Sequence, residues 1–245
     1  MLYMVGLGLG EQDISFSARE AVKKADKIFL DVYTSPFLGD VSHLENLLGK
    51  EIILADRKLV ELESDKILDK GKTIVFLVVG DVFSATTHSD LWLRAKEKGM
   101  EIKVFHNASI LTAVGETGLS LYKFGKTASI PFPREGSIIE TPYLVLKENK
   151  DAHTLFLLDL KEEVMLTANE AIEVLLSIEK IKRERVFSEK TLCVVCCALG
   201  TERQKIVCGK AKELLKKKLN VFPQVLIVPG SLHFVEEEVL SFYRV

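Results

Sequence analysis

The chain has 245 residues, 47% apolar and 28% charged, an ordinary globular composition long enough to bury a substantial core. A formal net charge of -2 argues against the broad positive footprint of a nucleic-acid binder, and the lysines at 216–218 and the basic stretch 180–185 read as solvated helix ends. The apolar runs 73–79 and 154–160 are strand length and far short of a membrane span. The apolar opening 1–5 has no basic segment before it and is soon broken by glycine, so a soluble, cytoplasmic chain without a signal peptide is expected.

In chain order, short β-rich runs alternate with amphipathic ones. The pattern predicts strand 2–5, helix 17–25, strand 27–30, helix 42–48, strand 51–54, helix 59–69, strand 73–79, helix 90–98 and strand 101–105. Ser17 with Glu20 fits a capping box, and Gly49, Gly71 and Gly99 stand where C-caps would. Such alternation builds a mainly parallel sheet covered on both faces. Beyond Gly115, Gly118 and Gly125 a turn-rich connector, Ile130-Pro131-Phe132-Pro133, leads to strand 154–158 and helix 167–180, which opens on a second box, Thr167 with Glu170. Strands 192–197 and 205–207, joined through 201–204, fit an antiparallel hairpin; helix 209–218, strand 225–228 and a last helical stretch follow. The reading is a two-domain α/β protein, an N-terminal mainly parallel sheet with flanking helices over 1–118 and a C-terminal mixed sheet with helices over 119–245.

Four cysteines include a C-x-x-C, Cys193 to Cys196, but residues three apart on a strand face opposite ways and no second Cys/His pair follows. No metal site is expected, and free buried thiols are.

Four strand ends carry candidate chemistry. Gly6-Leu7-Gly8-Leu9-Gly10 follows the first strand and Asp31 closes the second, which invites a dinucleotide reading. The spacing lacks the third glycine of that fingerprint, and Glu11-Gln12-Asp13 puts carboxyls where a pyrophosphate would want positive charge. Gly80-Asp81 with Ser84 and Ala85-Thr86-Thr87-His88 follows the fourth strand; Asp81 and Thr86 could equally be helix caps. His106-Asn107-Ala108-Ser109-Ile110 follows the fifth, and Pro229-Gly230-Ser231-Leu232-His233 the last.

In combination these strings resemble the tetrapyrrole methylase-like class of S-adenosylmethionine-dependent methyltransferases, and within it the diphthine synthases. The resemblance extends through Tyr33-Thr34-Ser35, Tyr122-Lys123-Phe124-Gly125-Lys126, His153-Thr154-Leu155, Leu158-Asp159 and Leu166-Thr167-Ala168-Asn169-Glu170-Ala171, nearly the whole chain. It implies an enzyme with S-adenosylmethionine as cofactor and S-adenosylhomocysteine as product, held between two domains by positions matching Leu9, Asp81, Ser84, Ser109, Ile110, Leu158, Leu199 and His233. It further implies a homodimer that methylates the amino group of a 3-amino-3-carboxypropyl-histidine on translation elongation factor 2, with no membrane or direct nucleic-acid partner. Ala198 stands where an arginine is expected and Ser84 where an apolar residue is. Methyl transfer needs positioning and a site matched to dispersing positive charge, so Asp81 is expected to face the cofactor's cationic part, and no residue stands out as a general base. A small-molecule methyltransferase and a non-catalytic cofactor-binding module are the alternatives.

Overall fold

A computed structural model describes residues 1–10, 12–133, 138–161 and 164–245, which form two compact units, Met1–Ala113 and Val114–Val245.

Unit 1 contains β1 (Leu2–Gly6), α1 (Phe16–Val22), β2 (Lys27–Asp31), α2 (Val41–Leu48), β3 (Ile52–Ala55), α3 (Arg57–Glu61), β4 (Ile74–Val78), α4 (Ser89–Glu97), β5 (Ile102–Phe105) and α5 (Ile110–Ala113). The five strands are all parallel, in the order β3-β2-β4-β1-β5. Alternation along each strand sends side chains to both faces. Leu2, Met4, Ile74, Phe76 and Val78 pack with α3 and α4, while Val5, Val75 and Leu77 pack with α1 and α2. Both faces are thereby buried, as an all-parallel sheet requires. The loops after β1 and β4 emerge side by side, at the carboxyl edge where such sheets bind ligands.

Unit 2 contains β6 (Ala128–Ile130), α6 (Thr141–Asn149), β7 (Thr154–Leu158), β8 (Leu160–Lys161), β9 (Val164–Met165), α7 (Ala168–Lys182), β10 (Leu192–Cys197), β11 (Lys205–Lys210), α8 (Ala211–Leu214), β12 (Gln224–Val228) and α9 (Phe234–Ser241). Its main sheet, β11-β10-β12-β7-β6, is mixed: only β6 and β7 pair in parallel. Tyr143 of α6 and Ala171, Ile172, Leu175 and Ile178 of α7 cover one face over Phe156, Val195 and Leu226. Cys193 and Cys197 join that core and Cys196 points the other way, so the C-x-x-C spans two faces; all four thiols are free and buried. No cluster of potential metal ligands occurs among the described residues, and no helix among them is long and apolar enough to cross a membrane.

Several local expectations are corrected. α1 starts earlier than the pattern predicts: Ser15, not Ser17, is its N-cap, accepting from Ala18 N at 3.3 Å. The helix expected over 59–69 ends at Glu61, and a 3-10 turn, Ser64–Lys66, follows, so Gly71 caps nothing and lacks the left-handed backbone that Gly49 adopts. β11 runs on through Lys210, where backbone pairing with Leu192 overrides the helical pattern, leaving α8 a single turn. The connector after Gly125 holds β6 and α6; Pro142 sits in the first turn of α6, where a missing N–H costs nothing.

Candidate functional site

At the carboxyl edge of unit 1 the loops after β1 and β4 are joined by an antiparallel bridge, Gly8 N–H to Gly80 O at 3.1 Å and Gly80 N–H to Gly8 O at 2.7 Å. Glycine is required on both sides of it. A Cβ on Gly6 would stand 2.7 Å from Gly80 O, and Gly8 and Gly80 have φ +79° and +82°. The third loop is tied in by Asn107, whose Nδ2 donates to Gly6 O at 3.0 Å and to Asp13 O at 2.9 Å.

Asp81, 8% exposed, lies at the centre. Its Oδ1 accepts from Phe83 N at 3.1 Å and Ser84 Oγ at 3.3 Å, and its Oδ2 from His106 Nδ1 at 2.8 Å and Asn107 N at 3.1 Å. Burial pushes this carboxyl up, but the Phe83 amide, His106 and the Asn107 amide outweigh it and hold it below the usual carboxylate range. The unexpected serine at 84 thus has a local role, donating to Asp81. Ser109 is buried against Gly80 and Ile110 opens α5 one residue later. A ligand hydrogen bond to Asp81 would replace the long Ser84 contact or the solvent-facing His106.

Leu9 and Gly10 donate their amides to Asp13 Oδ2, at 3.2 and 2.7 Å. This carboxylate would repel a phosphate and attract a cationic ligand; Glu11 lies outside the described residues. Asp31, read as a possible ribose ligand, is fully buried; its oxygens accept from Tyr33 N, Thr34 N and Thr34 Oγ1, and His88 Nε2 stands 3.3 Å away. The dinucleotide reading fails on both acids.

In unit 2, Leu158 ends β7 and Leu199 follows β10, and these strands flank the amino end of β12 from either side. Ala198 adopts φ 43° and donates its N–H to Pro223 O at 2.7 Å. β12 runs the other way, so His233, reached from its carboxyl end, leaves the sheet opposite Leu158 and Leu199.

His233 is exposed at the N-cap of α9, its Nδ1 accepting from Val235 N at 3.4 Å. Beneath it lies a carboxylate that the sequence does not single out. Glu236 accepts from His233 N at 2.8 Å, Lys123 Nζ at 2.5 Å, Ser120 N at 2.9 Å and His153 Nε2 at 3.2 Å. Burial raises the Glu236 carboxyl, but these donors prevail and hold it far below the ordinary carboxylate range. His153 Nδ1 in turn accepts from Gly230 N at 3.0 Å, and a Cβ on Gly230 would lie 2.0 Å from Asp151 O. Three of the family-like strings, at 122–126, 153–155 and 229–233, therefore meet at Glu236. The string at 166–171 is structural: Thr167 and Glu170 form the expected capping box, and Asn169 Nδ2 bonds Leu215 O and Lys217 O at 3.3 and 3.1 Å.

Comparison with known proteins adds three findings. The family described as tetrapyrrole (corrin/porphyrin) methylases matches residues 1–215. A diphthine synthase of Methanocaldococcus jannaschii is 43% identical over 99% of this chain and 98% of its own length, and a diphthine methyl ester synthase of Dictyostelium discoideum is 40% identical over 100% and 98%. A solved diphthine synthase structure superposes with a TM-score of 0.90 at 35% identity, covering 99% of this chain and 95% of that one.

Proposed function

The chain belongs to the tetrapyrrole (corrin/porphyrin) methylase family, and from that membership we propose that it is an S-adenosylmethionine-dependent methyltransferase acting as a diphthine synthase. The full-length identity to relatives of that name carries the proposal, and the site's charge pattern supports it. The acceptor is the amino group of the 3-amino-3-carboxypropyl-histidine on translation elongation factor 2, and the working enzyme is a cytoplasmic homodimer.

S-adenosylmethionine, when bound, supplies a methyl group on a cationic sulfur. Around it, Gly6 and Gly8 let the loops of unit 1 close on one another, and Asp81 stays ionised at every physiological pH. Its fixed negative charge favours a cationic ligand without reorganising when that ligand arrives. Ser109, Ile110 and Leu9 belong to the loops at the same edge of unit 1. The resemblance to the family also assigns cofactor contacts to Leu158, Leu199 and His233. His233 is fixed as a donor: because Nδ1 accepts from Val235, the ring proton of the neutral imidazole sits on Nε2 and faces outward.

The test supplies methyl-labelled S-adenosylmethionine with elongation factor 2 carrying the unmethylated precursor, and counts added methyl groups by mass spectrometry. Label on that side chain is the expected result. Bound cofactor without label on an intact precursor, or label only on a porphyrinoid, rejects the proposal.

A further inference from the structure

The proposed cofactor positions leave two of the family-like strings, Tyr33-Thr34-Ser35 and Ala85-Thr86-Thr87-His88, without a task. In the structure they form one cluster where β2 and β4, neighbours in the sheet, reach their carboxyl ends. Its base is buried: His88 Nδ1 donates to Val82 O at 3.2 Å, and Nε2 lies 3.3 Å from Asp31 Oδ2 without a well-formed hydrogen bond. Thr86 Oγ1 bonds the same Val82 carbonyl at 2.9 Å. Between them Ala85 is held at φ 61°, a conformation costly for any residue with a Cβ.

On this base Tyr33 is fixed from four sides. Its N–H donates to Asp31 Oδ1 at 3.1 Å, and its ring meets His88 edge-on, centroids 6.5 Å apart. The Arg57 guanidinium stands 5.6 Å over the ring, and the hydroxyl pairs with Thr87 Oγ1 at 2.9 Å. Tyr33 is half-buried and Thr87 exposed, so the paired hydroxyls reach solvent. Thr87 belongs to the loop that carries Asp81 and Ser84. Burying a histidine and an aspartate to immobilise one surface tyrosine gives the fold less than apolar packing would. The proposed cofactor positions do not include this cluster, which leaves it available to a second ligand at this edge.

We propose that Tyr33 orients the acceptor: its hydroxyl oxygen accepts an N–H from the acceptor amine while giving its own proton to Thr87 Oγ1. The amine's lone pair is then turned away from Tyr33 and free for the methyl carbon. Burial raises the phenol above its ordinary 10.0, so it remains protonated and acts by position, not as a base. This inference rests on the diphthine synthase reading.

The experiment compares wild type, Tyr33→Phe and Thr87→Val with the modified elongation factor as acceptor at saturating cofactor, alongside calorimetric cofactor affinity and thermal unfolding. Tyr33→Phe is expected to lower kcat/KM for the acceptor about tenfold, the worth of one hydrogen bond, with cofactor Kd and unfolding unchanged. Thr87→Val, which frees the hydroxyl to rotate, is expected to lose less in the same parameter. An active wild type with an equally active Tyr33→Phe overturns the inference and leaves the function standing, as does a loss that merely follows cofactor Kd. A wild type that binds cofactor but methylates nothing overturns both.

Discussion

His153 Nε2 stands 3.2 Å from Glu236 Oε1, both residues buried, and the Gly230 N–H on the other ring nitrogen leaves Nε2 as the only one able to carry a proton. Protonating this imidazole would break the Gly230 bond and charge a buried ring. Burial, aided by Lys123, accordingly holds its pKa below the ordinary 6.5 despite the neighbouring carboxylate. Below pH 6.5 the unfolded chain then takes up a proton that the folded one resists, and stability falls. Glu236 has the opposite chemistry with the same result: its stabilisation is complete above its ordinary 4.5 and is lost as pH falls further. Melting temperature is therefore expected to be level near neutrality, to decline below pH 6.5 and to drop more steeply below 4.5. His153→Gln should flatten the first part of that decline. A wild-type profile level from neutrality into the acid range would contradict this account.

Asp81→Asn removes the charge and turns an amide N–H toward His106 or the Asn107 amide, which already donate. Cofactor affinity should fall about tenfold or more, since a charge-assisted set of hydrogen bonds is lost. Calorimetry on the folded variant checks this; affinity equal to wild type would remove Asp81 from the site.

Gly6→Ala places a methyl 2.7 Å from Gly80 O and 3.0 Å from Asn107 Cβ. The three loops must part, at a cost of about 1–3 kcal/mol. Chemical denaturation should show that loss, with weakened cofactor binding. Gly49→Ala is the control for binding: a Cβ there meets nothing within 4 Å, although φ +68° makes it mildly destabilising. Equal cofactor affinity in the two variants would mean that the bare backbone at Gly6 has no part in binding.

The thiols should be inert in the native protein. Burial pushes Cys193, Cys196 and Cys208 up, and Cys197 up to about 11, so almost no thiolate exists at pH 8. A thiol reagent is expected to react with none of the four rapidly until denaturant is added. Fast labelling of any one in the folded state would show an opening that the strands do not display.

The sequence makes the parallel sheet legible because its strands are continuous apolar runs and its helices carry caps. Ser17 was the wrong cap because Ser15 offers the same chemistry two residues earlier, a choice decided by where Ala18 and Ala21 must pack. β6 and α6 stay hidden because Pro131, Pro133 and Pro142 interrupt the pattern around them, although Tyr143 and Val145 are buried core. At the site, Asp81 stands out by its place after a strand. Glu236 does not, for it looks like one more acid on an amphipathic helix beside Glu237 and Glu238, and only the convergence of Lys123, His153 and Gly230 reveals it. Asp31 misleads in the other direction: its position fits a ribose ligand, but a buried histidine partner holds it inside.

The strand order has a consequence during synthesis. β1 lies between β4 and β5, so once synthesised it has no partner in the sheet until residues 74–78 follow, and its second edge stays bare until 102–105. Over that interval only β2 and β3 can pair, while Leu2, Met4 and Val5 present an apolar strand with two open edges. The nascent chain is therefore most prone to wrong association before β4 emerges, and a ribosomal pause between β1 and β4 would be more harmful than one placed after β5.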